Sequence, residues 1–298
     1  WCDGRVATTG TSYTASTTLY SLVSAPTALE LGVCRAPDFD EYRHLLAPGG
    51  IVNSWFIDAW GNSTAAQDRN DVAALIESGL FPVPENGAVH PLGVRPVDED
   101  IDGSLLAAAI AEHKTNFNLA AQEDTLTFID NTLFNHHRVL FDPVYQEKIE
   151  QSDIPVVMRC GWSDAGTQLG ALSMFASFNS RMRVIVGPWN HGGDFRADPF
   201  QTGDGTNPDV IPLDEVRALT VNSLNAIFKP NKLTNNVKFI DDDFGIVEYY
   251  TLGENRWKTT QIWPLPETQM QRFYLSTDHQ LNINPPTSAE GCDRYQVN

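Results

Sequence analysis

Short apolar runs of strand length alternate with periodic segments of helix length along residues 5–228, and that alternation confines the chain to an α/β fold with a mostly parallel sheet. Arg5 to Thr8 is a short β-prone run, followed at once by Gly10-Thr11-Ser12-Tyr13 and then by Thr14 to Ala25, where Leu19, Leu22 and Val23 recur at helical spacing. This predicts a strand, a sharp turn and a helix. Leu31 to Ala36, Ile154 to Cys160 and Met182 to Val186 predict three further buried strands, each an apolar run closed by turn residues. Leu169 to Phe178 joins the last two as a helix and Leu213 to Phe228 follows them, as parallel crossovers require.

Between the second and third strands lies an insertion, about residues 37–150, too long for a structureless loop inside a compact domain. Ala65 to Gly79, Asp102 to Phe117 and Ala121 to Asn131 predict helices in it, separated by a Pro- and Gly-rich loop from Phe81 to Pro96, so a helical cap is expected over about 62–150. After Phe228-Lys229-Pro230-Asn231 the pattern turns to short β-rich runs, Val237 to Ile240, Ile246 to Leu252 and Gln271 to Leu275. The expected organisation is a catalytic-type domain over 1–231 and a β-rich domain over 232–298, with Pro285 to Asn298 lacking an evident closing strand.

The net charge of −18 arises from 38 acidic and only 20 basic residues, 6 of them Lys, which argues against a nucleic-acid partner because phosphate binding needs clustered Lys and Arg. Cys2, Cys34, Cys160 and Cys292 are far apart with no paired spacing, and His136-His137 is not completed by a known ligand spacing, so no metal is expected. Gly203-Asp204-Gly205 reads as a turn, not a phosphate loop, and no cofactor is expected. No run of about 18 apolar residues points to a membrane span, and Trp1-Cys2-Asp3-Gly4 is not a signal-peptide start. A soluble setting is expected, cytoplasmic or secreted; the sequence assigns no oligomeric state.

Three polar residues close these strands in a suggestive order. Ser12, in Gly10-x-Ser12, stands between a strand and a helix, the local pattern of a nucleophile elbow as well as of an ordinary turn. Gly161-Trp162-Ser163-Asp164 ends the third strand, where Asp164 could equally cap a helix. Gly187-Pro188-Trp189-Asn190-His191-Gly192 ends the fourth, where a lone histidine often serves structure alone. The chain order Ser, Asp, His is nevertheless the one an α/β-hydrolase needs, with a base to activate the hydroxyl and an acid to orient the base.

Gly-x-Ser-Tyr after a strand, Ile-Pro-Val-Val followed by Gly-Trp-x-Asp, and Gly-Pro-Trp-x-His together resemble the cocaine esterase and X-Pro dipeptidyl-peptidase family of α/β-hydrolases. Tyr250 to Trp257 and Trp263-Pro264-Leu265-Pro266 resemble the opening of that family's C-terminal jelly roll, whereas His137, Asp142 and Tyr145 match the family's cap only loosely. The resemblance implies that Ser12 attacks an ester or amide carbonyl, that His191 takes its proton and passes it to the leaving group, that Asp164 orients His191, and that water hydrolyses the acyl-enzyme. The Tyr13 backbone N–H would be one oxyanion donor. The family's second donor, a tyrosine upstream of the nucleophile, has no counterpart in the eleven residues before Ser12, and its earlier strands are likewise absent. The expectation is a partial α/β-hydrolase fold from the nucleophile strand onward, with a helical cap and an incomplete jelly roll, dependent on a missing N-terminal segment of the same polypeptide.

The implied substrate is a small ester, amide or short peptide. X-Pro dipeptidyl-peptidase action on a free N-terminus is one alternative, and a catalytically inactive hydrolase-fold binding protein is another. Trp162 and Trp189 flank Asp164 and His191 and are expected at the substrate, whereas Trp55, Phe56 and Trp60 read either as the lining of an acyl pocket or as core packing of a cap helix or loop. Asp38, Asp40 and Glu41 follow the second strand and read as a solvated acidic loop or as an anchor for a substrate amine.

Overall fold

The computed structural model describes residues 2–80, 93–126, 128–129, 142–196, 198, 209–229, 244–276 and 279–287. Two compact units are defined, Trp1–Gln261 and Ile262–Asn298. The first is built on a six-stranded sheet of order β1-β2-β3-β4-β7-β8, comprising β1 (Val6–Thr11), β2 (Leu29–Arg35), β3 (Val156–Gly161), β4 (Met182–Gly187), β7 (Ile246–Thr251) and β8 (Arg256–Thr260). β1 to β4 and β7 run parallel, while β8 returns antiparallel along β7. A short antiparallel pair, β5 (Phe195–Arg196) and β6 (Asp209–Val210), follows β4.

β3 is buried along its whole length and β4 nearly so, which is why both read as unbroken apolar runs. Helices cover both faces, as a doubly wound sheet demands. α1 (Tyr13–Ser24) brings Thr18 and Leu22 against Gly32 of β2, and α6 (Thr167–Ser177) takes the Cys160 thiol of β3 on its Thr167 carbonyl, both on one face. On the other face Leu31, Val33, Val157 and Ile185 form a core packed by Leu219, Leu224 and Ile227 of α7 (Leu213–Phe228).

The segment between β2 and β3 carries α2 (Ser54–Asp68), α3 (Val72–Glu77), α4 (Ser104–His113) and α5 (Pro143–Ser152), with a π-turn at Tyr42–Leu46. The single helix expected over 65–79 is in fact two. Asn70 takes a left-handed φ of 54°, and the Asp71 carboxylate accepts from the Ala74 N–H at 3.0 Å, capping a fresh helix. Likewise Ala120–Thr125 is a 3-10 turn where a longer helix was expected. Asp142 caps α5 through the Val144 N–H at 2.8 Å with Pro143 at the first helical position, and Tyr145 of α5 meets Tyr20 of α1 edge-on at 5.8 Å.

The β-run at 246–251, expected to open the second domain, instead joins the main sheet beside β4, and Val247 and Tyr250 become buried there. The compact unit accordingly runs to Gln261 rather than ending near 231. A hairpin's ladder bonds are main-chain, so its side chains carry little record of which sheet it extends. The second unit holds the antiparallel pair β9 (Tyr274–Ser276) and β10 (Gln280–Asn282). The expected boundary at 231/232, the strand at 237–240, His136-His137 and the Gly203-Asp204-Gly205 turn lie outside the described residues. Among the described residues no helix is long and apolar enough to cross a membrane, and no group of three or more His, Cys, Asp or Glu could hold a metal ion.

Candidate active site

A main-chain ladder that continues past the strands fixes the C-terminal edge of the sheet. Ser12 N–H donates to the Arg35 carbonyl at 2.9 Å, Ala36 N–H to the Arg159 carbonyl at 2.8 Å, and Ser163 N–H to the Trp189 carbonyl at 3.1 Å. The turns after β1, β2, β3 and β4 are thereby tied each to the next. A Cβ on Gly161 would lie 2.0 Å from the Trp189 carbonyl oxygen, so only glycine lets the β3 and β4 turns approach this closely.

Ser12 occupies φ 60°, ψ −135°, a conformation costly for any residue with a Cβ. Gly10 permits the sharp turn, because a side chain there would drive a Cβ to 2.1 Å from the Thr14 carbonyl oxygen in the first turn of α1. Ser12 stands at the N-cap of α1 without using its side chain to cap it, and its hydroxyl makes no hydrogen bond among the described residues. The Tyr13 N–H opens the helix, where main-chain donors have no helical acceptor.

Asp164 is buried, and both its carboxylate oxygens are engaged. Oδ1 lies 2.7 Å from His191 Nδ1, and Oδ2 accepts from the Thr167 hydroxyl at 2.6 Å. Gly166, not Asp164, is the N-cap of α6. His191 is half exposed, and the Asp164 hydrogen bond raises its pKa against the opposing effect of burial. An ionised carboxylate only accepts, so Nδ1 carries the hydrogen in the neutral ring and Nε2 is left as the basic atom.

The acidic segment after β2 is not a solvated loop. Asp40 is buried and pairs with Arg43, burial pushes Asp38 up to about 6 and Glu41 up to about 7, and one buried Glu41 oxygen has no hydrogen-bond partner among the described residues. Asp38 interacts electrostatically with both His191 and Asp164, and its main chain is held by Ser16 of α1, whose Oγ lies 3.1 Å from the Asp38 nitrogen. A carboxylate beside the pair was thus hidden in what read as a charged surface run.

The aromatic residues divide by location. Trp189 stacks on the Arg159 guanidinium at 3.8 Å and lines the cleft that holds Asp164 and His191. Trp162 commits its indole N–H to the Tyr250 carbonyl at 2.6 Å, tying the β3 turn to β7. Trp55 is 70% exposed, whereas Phe56 stacks on Trp60 with ring planes 8° apart, and Trp60 reaches Tyr13 at 5.9 Å. Trp60 is therefore the α2 aromatic that adjoins the elbow.

A mostly parallel sheet with helices on both faces, a strained serine at one strand end and a bonded acid–histidine pair at two others define an α/β-hydrolase-like protein. A family model described as X-Pro dipeptidyl-peptidase (S15 family) matches residues 1–193, a span that includes Ser12, Asp164 and His191, and the chain belongs to that family. Among curated relatives, a candidate serine esterase of Mycobacterium bovis, Mb1866c, is 30% identical over all of this chain and 48% of its own length. Cocaine esterase of Rhodococcus sp. is 24% identical over 95% of this chain and 46% of its own length. The chain thus spans about half the length of these relatives. Two solved structures share the fold: an aminopeptidase from a marine-sediment Thaumarchaeota archaeon (TM-score 0.54, 18% identity, 98% of this chain and 44% of the other), and a CocE/NonD family hydrolase from Staphylococcus aureus (TM-score 0.55, 16% identity, 95% and 39%).

Proposed function

We propose that this chain carries the catalytic residues of a serine hydrolase acting on carboxylic esters or amides. The observation that carries the reading is Ser12, held in a strained elbow on the sheet edge that also bears the Asp164–His191 pair. In the proposed mechanism His191 Nε2 takes the Ser12 proton as Oγ attacks the carbonyl carbon, and Asp164 stabilises the imidazolium. The Tyr13 N–H donates to the oxyanion. The imidazolium then gives its proton to the leaving group, and water activated by the same histidine releases the acid. The helical segment between β2 and β3 would act as a cap presenting Phe56 and Trp60 to the acyl group, and the β9–β10 pair would open a jelly roll.

The family also supports a second reading, cleavage of X-Pro dipeptides from a free N-terminus. Treating the native protein with a fluorophosphonate and mapping the adduct by mass spectrometry tests the hydrolase reading. Labelling confined to Ser12 is the expected result, with none after heat denaturation. An unlabelled Ser12 beside a labelled control hydrolase would instead favour an inactive binding protein. Turnover of aryl esters against X-Pro amides, with and without a blocked amine, separates the two hydrolase readings.

A further inference from the structure

Two guanidinium groups stand beside the Asp164–His191 pair, and among the described residues no acid forms an ion pair with either. Arg35 ends β2, and Arg159 lies directly opposite it in β3. Both alternate with Leu31, Val33 and Val157, the residues facing α7, so they share that face at its C-terminal end. Arg159 is only 7% exposed, lies against Gly193 of the His191 loop and stacks on Trp189. Among the described residues its guanidinium makes no hydrogen bond or ion pair. Arg35 spends its Nε and Nη2 on one neutral acceptor, Thr11 Oγ1, at 3.0 and 2.8 Å. Asp194 and Glu215 act on the two only from beyond ion-pair contact, and Arg217 adds a further positive charge.

This arrangement is costly unless something completes it. Burying a charge without a partner is unfavourable, and setting a second like charge beside it adds repulsion. Burial first and Arg35 second bring the Arg159 guanidinium down to about 10. Acids are plentiful in a chain with 38 of them against 20 basic residues, yet among the described residues none pairs with either guanidinium. The two arginines line a shallow, solvent-open cleft whose walls include Asp164, Trp189 and His191. Trp189 fixes the plane of one guanidinium, which suits fork-like bonding to a planar or tetrahedral oxyanion.

We propose that Arg35 and Arg159 form an anion subsite beside His191, which takes a carboxylate or phosphate-type group of the bound molecule. As a substrate subsite it rests on the hydrolase reading, and it then specifies an ester or amide bearing an acidic group; as an anion site it stands on its own geometry.

Titration calorimetry with inorganic phosphate and, separately, succinate tests it on the wild-type chain and on Arg159→Met, Arg159→Lys, Arg35→Met and Ser12→Ala. The expected result is saturable binding by wild type and Ser12→Ala, weakened at least about tenfold in both Met variants and partly retained in Arg159→Lys, consistent with the loss of a charge-assisted bond. Tighter phosphate binding would assign a phosphoryl-type group, and tighter succinate binding a carboxylate. Absence of saturable binding to wild type, or equal affinity in Arg35→Met, overturns the proposal. Should Arg159→Met lose its native circular dichroism, the half-buried Arg35 carries the test. Anion binding without ester turnover would sink the hydrolase reading and leave the subsite standing.

Discussion

His191 Nδ1 lies 2.7 Å from Asp164 Oδ1, while the Thr167 hydroxyl holds the other oxygen of the same carboxylate at 2.6 Å. The acid is therefore clamped from two sides and aims one oxygen at the imidazole. Asp164→Asn keeps the shape but gives up the charge and the acceptor that selects the Nδ1–H tautomer. Ester turnover is expected to fall by roughly 10³–10⁴ in kcat, with unchanged circular dichroism. Thr167→Val removes only the second clamp and is expected to cost about tenfold. An Asp164→Asn variant within tenfold of wild type would remove the pair from the mechanism.

The backbone at Ser12 stores strain, because φ 60° with ψ −135° is a region that glycine tolerates and residues with a Cβ do not. Ser12→Gly is expected to abolish fluorophosphonate labelling and yet to unfold at higher urea than wild type, a gain of about 1 kcal/mol after the larger entropy of the unfolded glycine is set against the relieved strain. Ser12→Ala removes the hydroxyl but keeps the Cβ, so it should lose labelling without the stability gain. Equal urea midpoints for the Gly and Ala variants would mean that the elbow holds no strain.

Asp164 and His191 are legible because β3 and β4, buried on both faces, read as apolar runs and these polar residues follow them at the sheet edge; Ser12 follows β1, which is at most half-buried, and is legible from its Gly-x-Ser turn instead. What stayed hidden depends on pairing in space. Arg35 and Arg159 are 124 positions apart, and only the β2–β3 register sets them side by side. Asp38 and Glu41 sit in a run that looks solvated, and their burial comes from the turn after β2 folding back toward α1 and the His191 loop. Trp162 looked like a substrate contact from its place beside Asp164, but the β7 strand that takes its indole N–H is 88 residues away.

Asp38 gives the site a second nearby carboxylate, and its sign is testable. Its negative charge adds to that of Asp164 in favouring protonated His191, against the opposing charge of Arg35. The base is active only when neutral, so a raised pKa moves the acidic limb of the rate profile to higher pH. Asp38→Asn removes one source of that shift, and the limb of kcat/KM is expected to move to lower pH by some tenths of a unit up to about one unit. Profiles between pH 5 and 9 on a non-ionising ester measure it. An unmoved limb would mean that Asp38 does not act on His191.

Glu41 makes a separate prediction about stability. Burial, with smaller contributions from Asp38 and Asp40, raises its pKa from the usual 4.5 to about 7. Between those two values the folded protein holds a proton that the unfolded chain has released, so stability falls as pH rises through this window, at up to about 1.4 kcal/mol per pH unit for one proton. Glu41→Gln is neutral throughout and loses that dependence. It is expected to match wild type near pH 4.5 and to exceed it by about 1–3 kcal/mol at pH 8, where wild type must keep a charge in a buried setting. His191, whose raised pKa gives the same sign, is present in both proteins and cancels in the difference. Urea unfolding at pH 4.5, 6 and 8 reads the gap directly, and a gap that does not widen between the first and last would show that Glu41 titrates alike in the folded and unfolded chain.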